Sequence, residues 1–427
     1  MFAALVFFVA LAAAAPAPSP AKSAPPVYTT DAPIGLDPNT PTYIAPIDPD
    51  AGPQPIRGGL GADVIGQNNA GLAMQNPDSV APPTTDEGNV GNPKWSFSLS
   101  HNRLQTGGWV RQQNTEVFPI GKKMSSVDMR LEKNAIRELH WHTVAEWAYV
   151  LSGTTQITAV DTDGRNYRAN VNAGDLWYFP AGVPHSLQGV GDEGTEFLLV
   201  FPDGGFSADD TLMLTPWLAH TPIEVLSKNF GMSPEAFARV PSHELFIFPS
   251  EPTTDDPIED PYGQTPNPYM YAFSQINATT ALGGTYKIAD STTFPVATKI
   301  AVAEVTVEPG AMRELHWHPT ADEWGYILSG QARITLFAGS SSAGTFDFQA
   351  GDISYIPASY GHYVENIGNE TLRYLEVFNT DRYTDVSLRQ WLATAPPALV
   401  KAHLGLDDST IAQLSKTKPV VVAPYMP

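Results

Sequence analysis

One eight-residue string occurs twice in this chain with a single change, Ile136 to Met312. Ala135-Ile-Arg-Glu-Leu-His-Trp-His142 returns as Ala311-Met-Arg-Glu-Leu-His-Trp-His318, a shift of 311 − 135 = 176 residues. Upstream, Gly107-Gly108 and Phe118-Pro119 return at the same shift as Gly283-Gly284 and Phe294-Pro295. Downstream the shift is 177: Glu146-Trp147, Ser152-Gly153, Gly174-Asp175 and His185 return as Glu323-Trp324, Ser329-Gly330, Gly351-Asp352 and His362. One residue is therefore inserted between His318 and Glu323. The tails correspond as well, through Trp217-Leu218-Ala219 and Trp391-Leu392-Ala393. A period this long belongs to a whole domain rather than to a solenoid unit, so residues 94–250 and 251–427 read as two copies of one fold.

Each copy has a β pattern. The segments Trp147 to Leu151, Gln156 to Val160, Leu176 to Phe179 and Phe197 to Phe201 are short, aromatic or β-branched, and bounded by Gly, Pro or Asp. With 34 Gly and 39 Pro in 427 residues to punctuate such strands, the expectation is an all-β barrel or sandwich in each copy. Helical apolar spacing is confined to the closing stretches, Trp217 to Phe230 and Leu388 to Leu404. Ahead of the repeats, Met1 to Ala15 is an apolar run ending in small residues, which predicts a signal peptide within residues 1–20 and a secreted, extracellular protein. Residues 21–93 are rich in Pro, Gly, Asp and Asn and read as an extended arm. No other run approaches ~18 apolar residues, so no membrane partner is expected. A net charge of −21 repels phosphate backbones, which argues against nucleic acid. Asn277 and Asn369 open glycosylation sequons, consistent with export.

The chemistry concentrates in matching sets. His140 and His142 are two apart and share one face of a strand, as do His316 and His318. A glutamate follows in each copy, Glu146 or Glu323, and a third histidine lies beyond a Gly-Asp turn, His185 or His362. The chain has no cysteine, so any metal must rely on such nitrogen and oxygen donors. Three imidazoles and a carboxylate suit a divalent transition ion, with positions left open if coordination is octahedral. The ligand types leave Mn, Fe, Co, Ni, Cu and Zn all possible. Arg137 and Arg313 stand three residues before the first histidine of each set. That odd spacing puts them on the opposite face of a regular strand, so an inward role requires a bulge. Facing inward, a guanidinium would bind a carboxylate substrate.

These residues resemble the two motifs of the cupins, and the tandem His-Trp-His resembles the bicupin oxalate decarboxylase and oxidase family. The first motif is carried by His140, His142, Glu146 and Gly153, the second by Gly174, Pro180 and His185. The second copy has Gly310, His316, His318, Glu323 and Gly330, then Gly351, Pro357 and His362, whereas Asn134 stands where copy one should have its leading Gly. The resemblance spans roughly residues 94 to 420. It implies two jelly-roll barrels (double-stranded β-helices) with short C-terminal helices, one manganese ion in each, oxalate as substrate and a homo-oligomeric assembly. In the decarboxylases a dioxygen-dependent redox step is followed by loss of CO2, and a protonated glutamate completes formate. In the oxidases that proton is not delivered, and oxalate yields CO2 and hydrogen peroxide.

The chain departs from the decarboxylase pattern at that acid. Decarboxylases carry it on a lid resembling Ser-Glu-Asn-Ser-Thr. Here the stretch is Phe206-Ser-Ala-Asp-Asp-Thr211, with Ala208 at the glutamate position and Asp209 beside it. A second candidate acid is Glu376, which aligns with Leu199 of copy one. Decarboxylation with Glu376 or Asp209 as acid is the expectation. Oxidation is the alternative, and a non-enzymatic storage or ligand-binding bicupin is a third reading, which both complete ligand sets oppose.

Overall fold

The computed structural model describes residues 47–425 except position 49 and residues 253–259. The expected signal segment and the first part of the arm lie outside these residues. Each repeat folds into an antiparallel β-barrel of jelly-roll type, as the sequence implies. In the first, the strands Glu146–Val160 and His185–Phe201 pair along most of their length and run through both faces of the barrel. The separate segments expected at 147–151 and 156–160 are thus one strand. Its register shifts beside Gly153, whose φ of 76° lets the chain bend where a Cβ would meet Gly194 O at 2.0 Å. In the second barrel the same path breaks at Gly330 into Glu323–Ser329 and Gln331–Gly339.

The closing helical stretches are also divided. Pro222 separates Leu214–Ala219 from Ile223–Phe230, and Pro396 separates Leu388–Thr394 from Pro397–Leu404. A proline lacks the amide that a continuous helix needs there.

The repeats exchange their opening strands. Lys94–Ser96 pairs with Asp352–Ile356 of the second barrel, and Met270–Tyr271 pairs with Leu176–Phe179 of the first. Residues 94–250 and 251–427 are therefore repeats in sequence, while each barrel contains one strand from the other. Between them lies a shared core. Trp147, Tyr149, Leu198 and Val200 pack there with Trp324, Tyr326, Leu375 and Val377, while the alternating residues Ala148, Val150 and Leu199 fill the first barrel. These strands are buried on both faces. The interface keeps the pseudo-symmetry of the repeats in its polar contacts: Arg111 pairs with Asp128 at 2.7 Å and Lys287, 176 residues on, with Glu304 at 3.5 Å.

The described part of the arm is more ordered than its composition predicts. It contains short helices, Ala70–Met74 and Pro77–Val80, and straps the second barrel. Asp78, 1% exposed, pairs with Arg57 of the arm and at 2.5 Å with Arg333 of the barrel. Asp86 accepts from Thr345 N at 3.0 Å and Thr345 Oγ1 at 2.7 Å. Buried charges paired this way fix one register, since breaking a pair would leave an uncompensated ion.

Asp128 supplies a test of the inter-barrel core. Its Oδ1 is buried without a hydrogen-bond partner, and burial, opposed by Arg111, pushes its pKa up to about 7. An unfolded aspartate releases its proton near pH ~4. The native state therefore holds more protons between about pH 4 and 7, so this group's contribution must make stability fall as pH rises through that window. Asp128→Asn should remove that component, raising the thermal midpoint relative to wild type more at pH 8 than at pH 5. A variant whose midpoint differs equally at both pH values would contradict this.

Candidate functional site

His140 comes from the strand Ile136–Trp141 and His142 follows it; Glu146 and His185 open the two long strands. Their ligand atoms lie within 4.8 Å of one another, as do those of His316, His318, Glu323 and His362, and every one of these residues is buried. Each imidazole spends Nδ1 on a backbone carbonyl: His140 on Glu138 at 2.6 Å, His142 on Val144 at 2.7 Å, His185 on Val183 at 2.8 Å. In the second barrel the carbonyls are those of Glu314, Thr384 and Tyr360. A carbonyl only accepts, so Nδ1 carries the proton and Nε2 presents a lone pair inward. Burial, followed by the adjacent arginine, holds His140 and His316 far below the ordinary imidazole pKa, which keeps them neutral.

The arrangement fits a cation. His318 Nε2 faces Glu323 Oε2 at 3.0 Å and His142 Nε2 faces Glu146 Oε2 at 3.2 Å, two acceptors against each other. Nε2 of His185, His316, His318 and His362 and Oε2 of Glu323 are buried with no hydrogen-bond partner. Burial tends to raise the pKa of both glutamates, but the histidines reverse this and hold them below the ordinary carboxylate range. Trp177 Nε1 donates to Glu146 Oε1 at 2.8 Å and orients it, as outer partners of metal ligands do.

The arginines do turn inward, through the required bulge. His185 pairs with His140 and Leu187 with Arg137, so the four residues 137–140 on one strand oppose the three residues 185–187 on the other; the second barrel repeats this between Arg313 and His316. Their surroundings differ. Arg137 is 2% exposed and has no carboxylate in ion-pair range among the described residues. It bonds Met213 Sδ at 3.3 Å and Phe246 O at 3.4 Å, and its guanidinium lies 4.0 Å from the Phe246 ring centroid. Burial lowers its pKa to about 10, with Glu146 and Glu138 opposing, and it remains a cation. Arg313 instead meets Asp385 at 2.5 Å and Glu376 at 3.5 Å and donates to Tyr383 Oη at 2.9 Å. In this conformation the charge of Arg313 is met by the chain's own carboxylates, Asp385 and Glu376.

Of the two candidate acids, Asp209 is placed elsewhere. Its side chain is 59% exposed and pairs with Arg103 at 2.6 Å, pointing out of the barrel. The lid turn Ala208–Asp210 fixes this direction: Ser207 Oγ accepts from Asp209 N, and Ala208 N donates to Gln112 Oε1. Ala208 and Thr211 instead line, with Arg137, His140, His142 and Glu146, a small cavity of about 10 Å³ walled by Leu199, Phe201 and Phe206. That is room for roughly one water molecule. Glu376 is fully buried in the second barrel; Tyr374 Oη donates to its Oε1 at 2.9 Å and its Oε2 has no partner. Burial raises its pKa, with Arg313 opposing.

Sequence reasoning missed Glu138, although it stands in the repeated string. Its carboxylate accepts from Thr215 N and Oγ1 and from Leu245 N and Phe246 N, tying the lid side of the barrel to the ligand strand. Phe246, which braces Arg137, carries no repeat signal, but its φ of 55° is matched by 59° at Val420, whose carbonyl accepts from Arg313.

Two barrels with three histidines and one glutamate apiece define a bicupin metalloprotein. The Cupin family matches residues 98–237 and 270–412. The chain is 51% identical over 373 residues to oxalate decarboxylase OxdC of Bacillus subtilis, covering 87% of this chain and 97% of that one. It is 39% identical over 399 residues to an oxalate decarboxylase of Arthroderma benhamiae, covering 86% and 93%. The solved Bacillus subtilis structure at pH 4.6 superposes with a TM-score of 0.85 at 51% identity over 87% of this chain and 98% of that one. The chain belongs to the bicupin oxalate decarboxylase family of the cupins.

Elemental analysis of protein supplied with divalent metal should find two ions per chain, and His185→Ala or His362→Ala should each leave one. Removing the metal should lower the thermal midpoint, since an ion present at ~100 times its Kd stabilises by about 3 kcal/mol per site. Full occupancy in both variants would refute the assignment.

Proposed function

We propose that this chain is a manganese-dependent oxalate decarboxylase, converting oxalate to formate and CO2, with its anion-binding site in the first barrel. The observation that carries this reading is Arg137: a buried cation with no carboxylate in ion-pair range among the described residues, which lines one small cavity together with His140, His142 and Glu146. Manganese is taken from a relative, a Bacillus subtilis oxalate decarboxylase whose solved structure is described by its Mn(II) centres. When bound, one ion per barrel would supply Lewis acidity and one-electron redox capacity, with dioxygen as co-catalyst.

Arg137 would take one end of oxalate through paired N–H donors, directing the C–C bond toward the ligand set. Phe201, Phe206 and Leu199 exclude water once the lid is shut. Oxalate dianion plus one proton gives formate and CO2, so one proton must reach the carbon that CO2 leaves. Glu376 is the candidate donor for the second barrel, and its use there requires Arg313 to exchange Asp385 for substrate. In the first barrel the only carboxyl lining the cavity among the described residues is Glu146. Ala208 therefore supports a second reading, oxidation to CO2 and hydrogen peroxide, although the named relatives stand on the decarboxylase side.

Manganese-loaded protein given oxygen and oxalate at acid pH should form about one formate per oxalate; peroxide in that ratio without formate would make it an oxidase. Ala208→Glu should raise the formate-to-peroxide ratio. Arg137→Gln should lower kcat/KM about 10- to 100-fold, the cost of one charged hydrogen-bonding group.

The chain's apolar leader and two exposed sequons at Asn277 and Asn369 support a secreted glycoprotein. Matched exposed residues, Leu139 with Trp217 and Leu315 with Trp391, support a homo-oligomer built through the helical stretches. Light scattering of protein secreted from a eukaryotic host should show a multimer of the chain mass that shrinks on enzymatic deglycosylation. A mass equal to one bare chain would dispose of both ideas.

A further inference from the structure

Arg103 lies outside both cupin motifs and outside the repeat matches, yet it joins three parts of the first barrel. Its guanidinium donates to Asp209 of the lid at 2.6 Å and pairs with Glu244. It also lies 3.7 Å from the centroid of the Phe246 ring, the ring against which Arg137 rests at 4.0 Å. Phe246 is fully buried and held at both ends of its peptide: its N–H donates to Glu138 Oε2 at 3.0 Å, and its carbonyl accepts from Glu138 N at 2.9 Å. Glu138 is two residues from His140 on the ligand strand. One aromatic ring thus separates a lid-bound arginine from the arginine that faces the cavity.

The second barrel shows what this arrangement replaces. At the matching left-handed position stands Val420, which offers no ring, and Arg313 is held by Asp385, Glu376 and Tyr383. Carboxylates fix a guanidinium by cancelling its charge. A ring face fixes it while leaving the charge for an incoming anion. Asp209 and Glu244 both pair with the Arg103 guanidinium, so either carboxylate alone leaves its charge satisfied while it lies on the ring.

We propose that Arg103 is a positioning residue of the first barrel, which latches the lid through Asp209 and, through the Phe246 ring, sets the orientation of Arg137. This deepens the oxalate reading and rests on it for the second role only. Asp209, expected from sequence to be an acid, becomes the latch on the lid.

The two roles separate by substitution in metal-loaded full-length protein, read by amide hydrogen exchange over residues 206–211 and by steady-state kinetics with oxalate. Arg103→Ala should speed exchange of the lid amides about fivefold, in keeping with a partly exposed ion pair, and raise the oxalate KM. Asp209→Asn should speed exchange alike but leave KM closer to wild type, because the ring contact survives. Arg103→Lys should restore slow exchange without restoring KM, since an ammonium can pair with Asp209 but cannot lie flat on the ring. A double variant at 103 and 209 should exchange no faster than Arg103→Ala. Unchanged exchange in Arg103→Ala overturns the latch, and equal KM rescue by lysine overturns the orienting role. If wild type does not turn over oxalate, the functional reading fails while the exchange result still decides the latch. If Arg103→Ala does not fold, Asp209→Asn and Arg103→Lys decide it by the same readouts.

Discussion

At the centre of each barrel is an electrostatic conflict: imidazole nitrogens that can only accept face a carboxylate that can only accept, at 3.0 to 3.2 Å. The rings cannot relieve it by turning, because each Nδ1 is committed to a backbone carbonyl. Protonation is opposed by burial. A cation between the acceptors removes the conflict, and this requirement reaches well beyond the ligands. The carbonyl that holds His140 belongs to Glu138, inside the same bulge that turns Arg137 toward the cavity. One irregularity in a strand therefore sets both a ligand's tautomer and the direction of the buried guanidinium.

The two copies have diverged in how they treat that charge. Net charge is −21, so the long-range field opposes a dianion, and attraction must be local. In the first barrel Arg137 keeps its charge because an aromatic ring and a thioether, rather than acids, surround it. In the second, Asp385 binds both Arg313 and Lys418, and Glu376 stands where copy one has Leu199. Duplication preserved the ligand sets and let the neighbouring electrostatics separate. Among the described residues one barrel leaves its arginine without a carboxylate partner, and the other pairs its arginine with two.

The ligand sets, the repeat and the barrel class were legible because metal ligation and strand alternation depend on residue type at fixed spacing. The inward turn of the arginines was legible only as a condition, since a bulge is a property of pairing between His185 and His140, strands far apart in sequence. Contacts across greater distances left no pattern to read. Asp209 looked like an acid beside Ala208, but its direction is set by Ser207, Gln112 and Arg103, the last 209 − 103 = 106 residues away. The arm read only as extended from its composition, because its packing rests on contacts with Arg333 and Thr345 of the second barrel, far away in sequence. Helix lengths were overestimated where apolar spacing ran through Pro222 and Pro396.

The shared core explains why the two barrels belong to one chain. Glu146 and Glu323 each open a strand whose next residue, Trp147 or Trp324, is buried in the inter-barrel core and not in its own barrel. A barrel standing alone would expose that face, which carries the large aromatics Trp147 and Tyr149, or Trp324 and Tyr326. With the barrels joined, the strand that presents the carboxylate ligand is packed on both sides, and interiors at close-packed density resist displacement. The exchanged strands Lys94–Ser96 and Met270–Tyr271 extend the same sheets across the junction. Ligand geometry in one barrel is thereby anchored against the other, so the repeat contributes rigidity to each metal centre as well as a second copy of it.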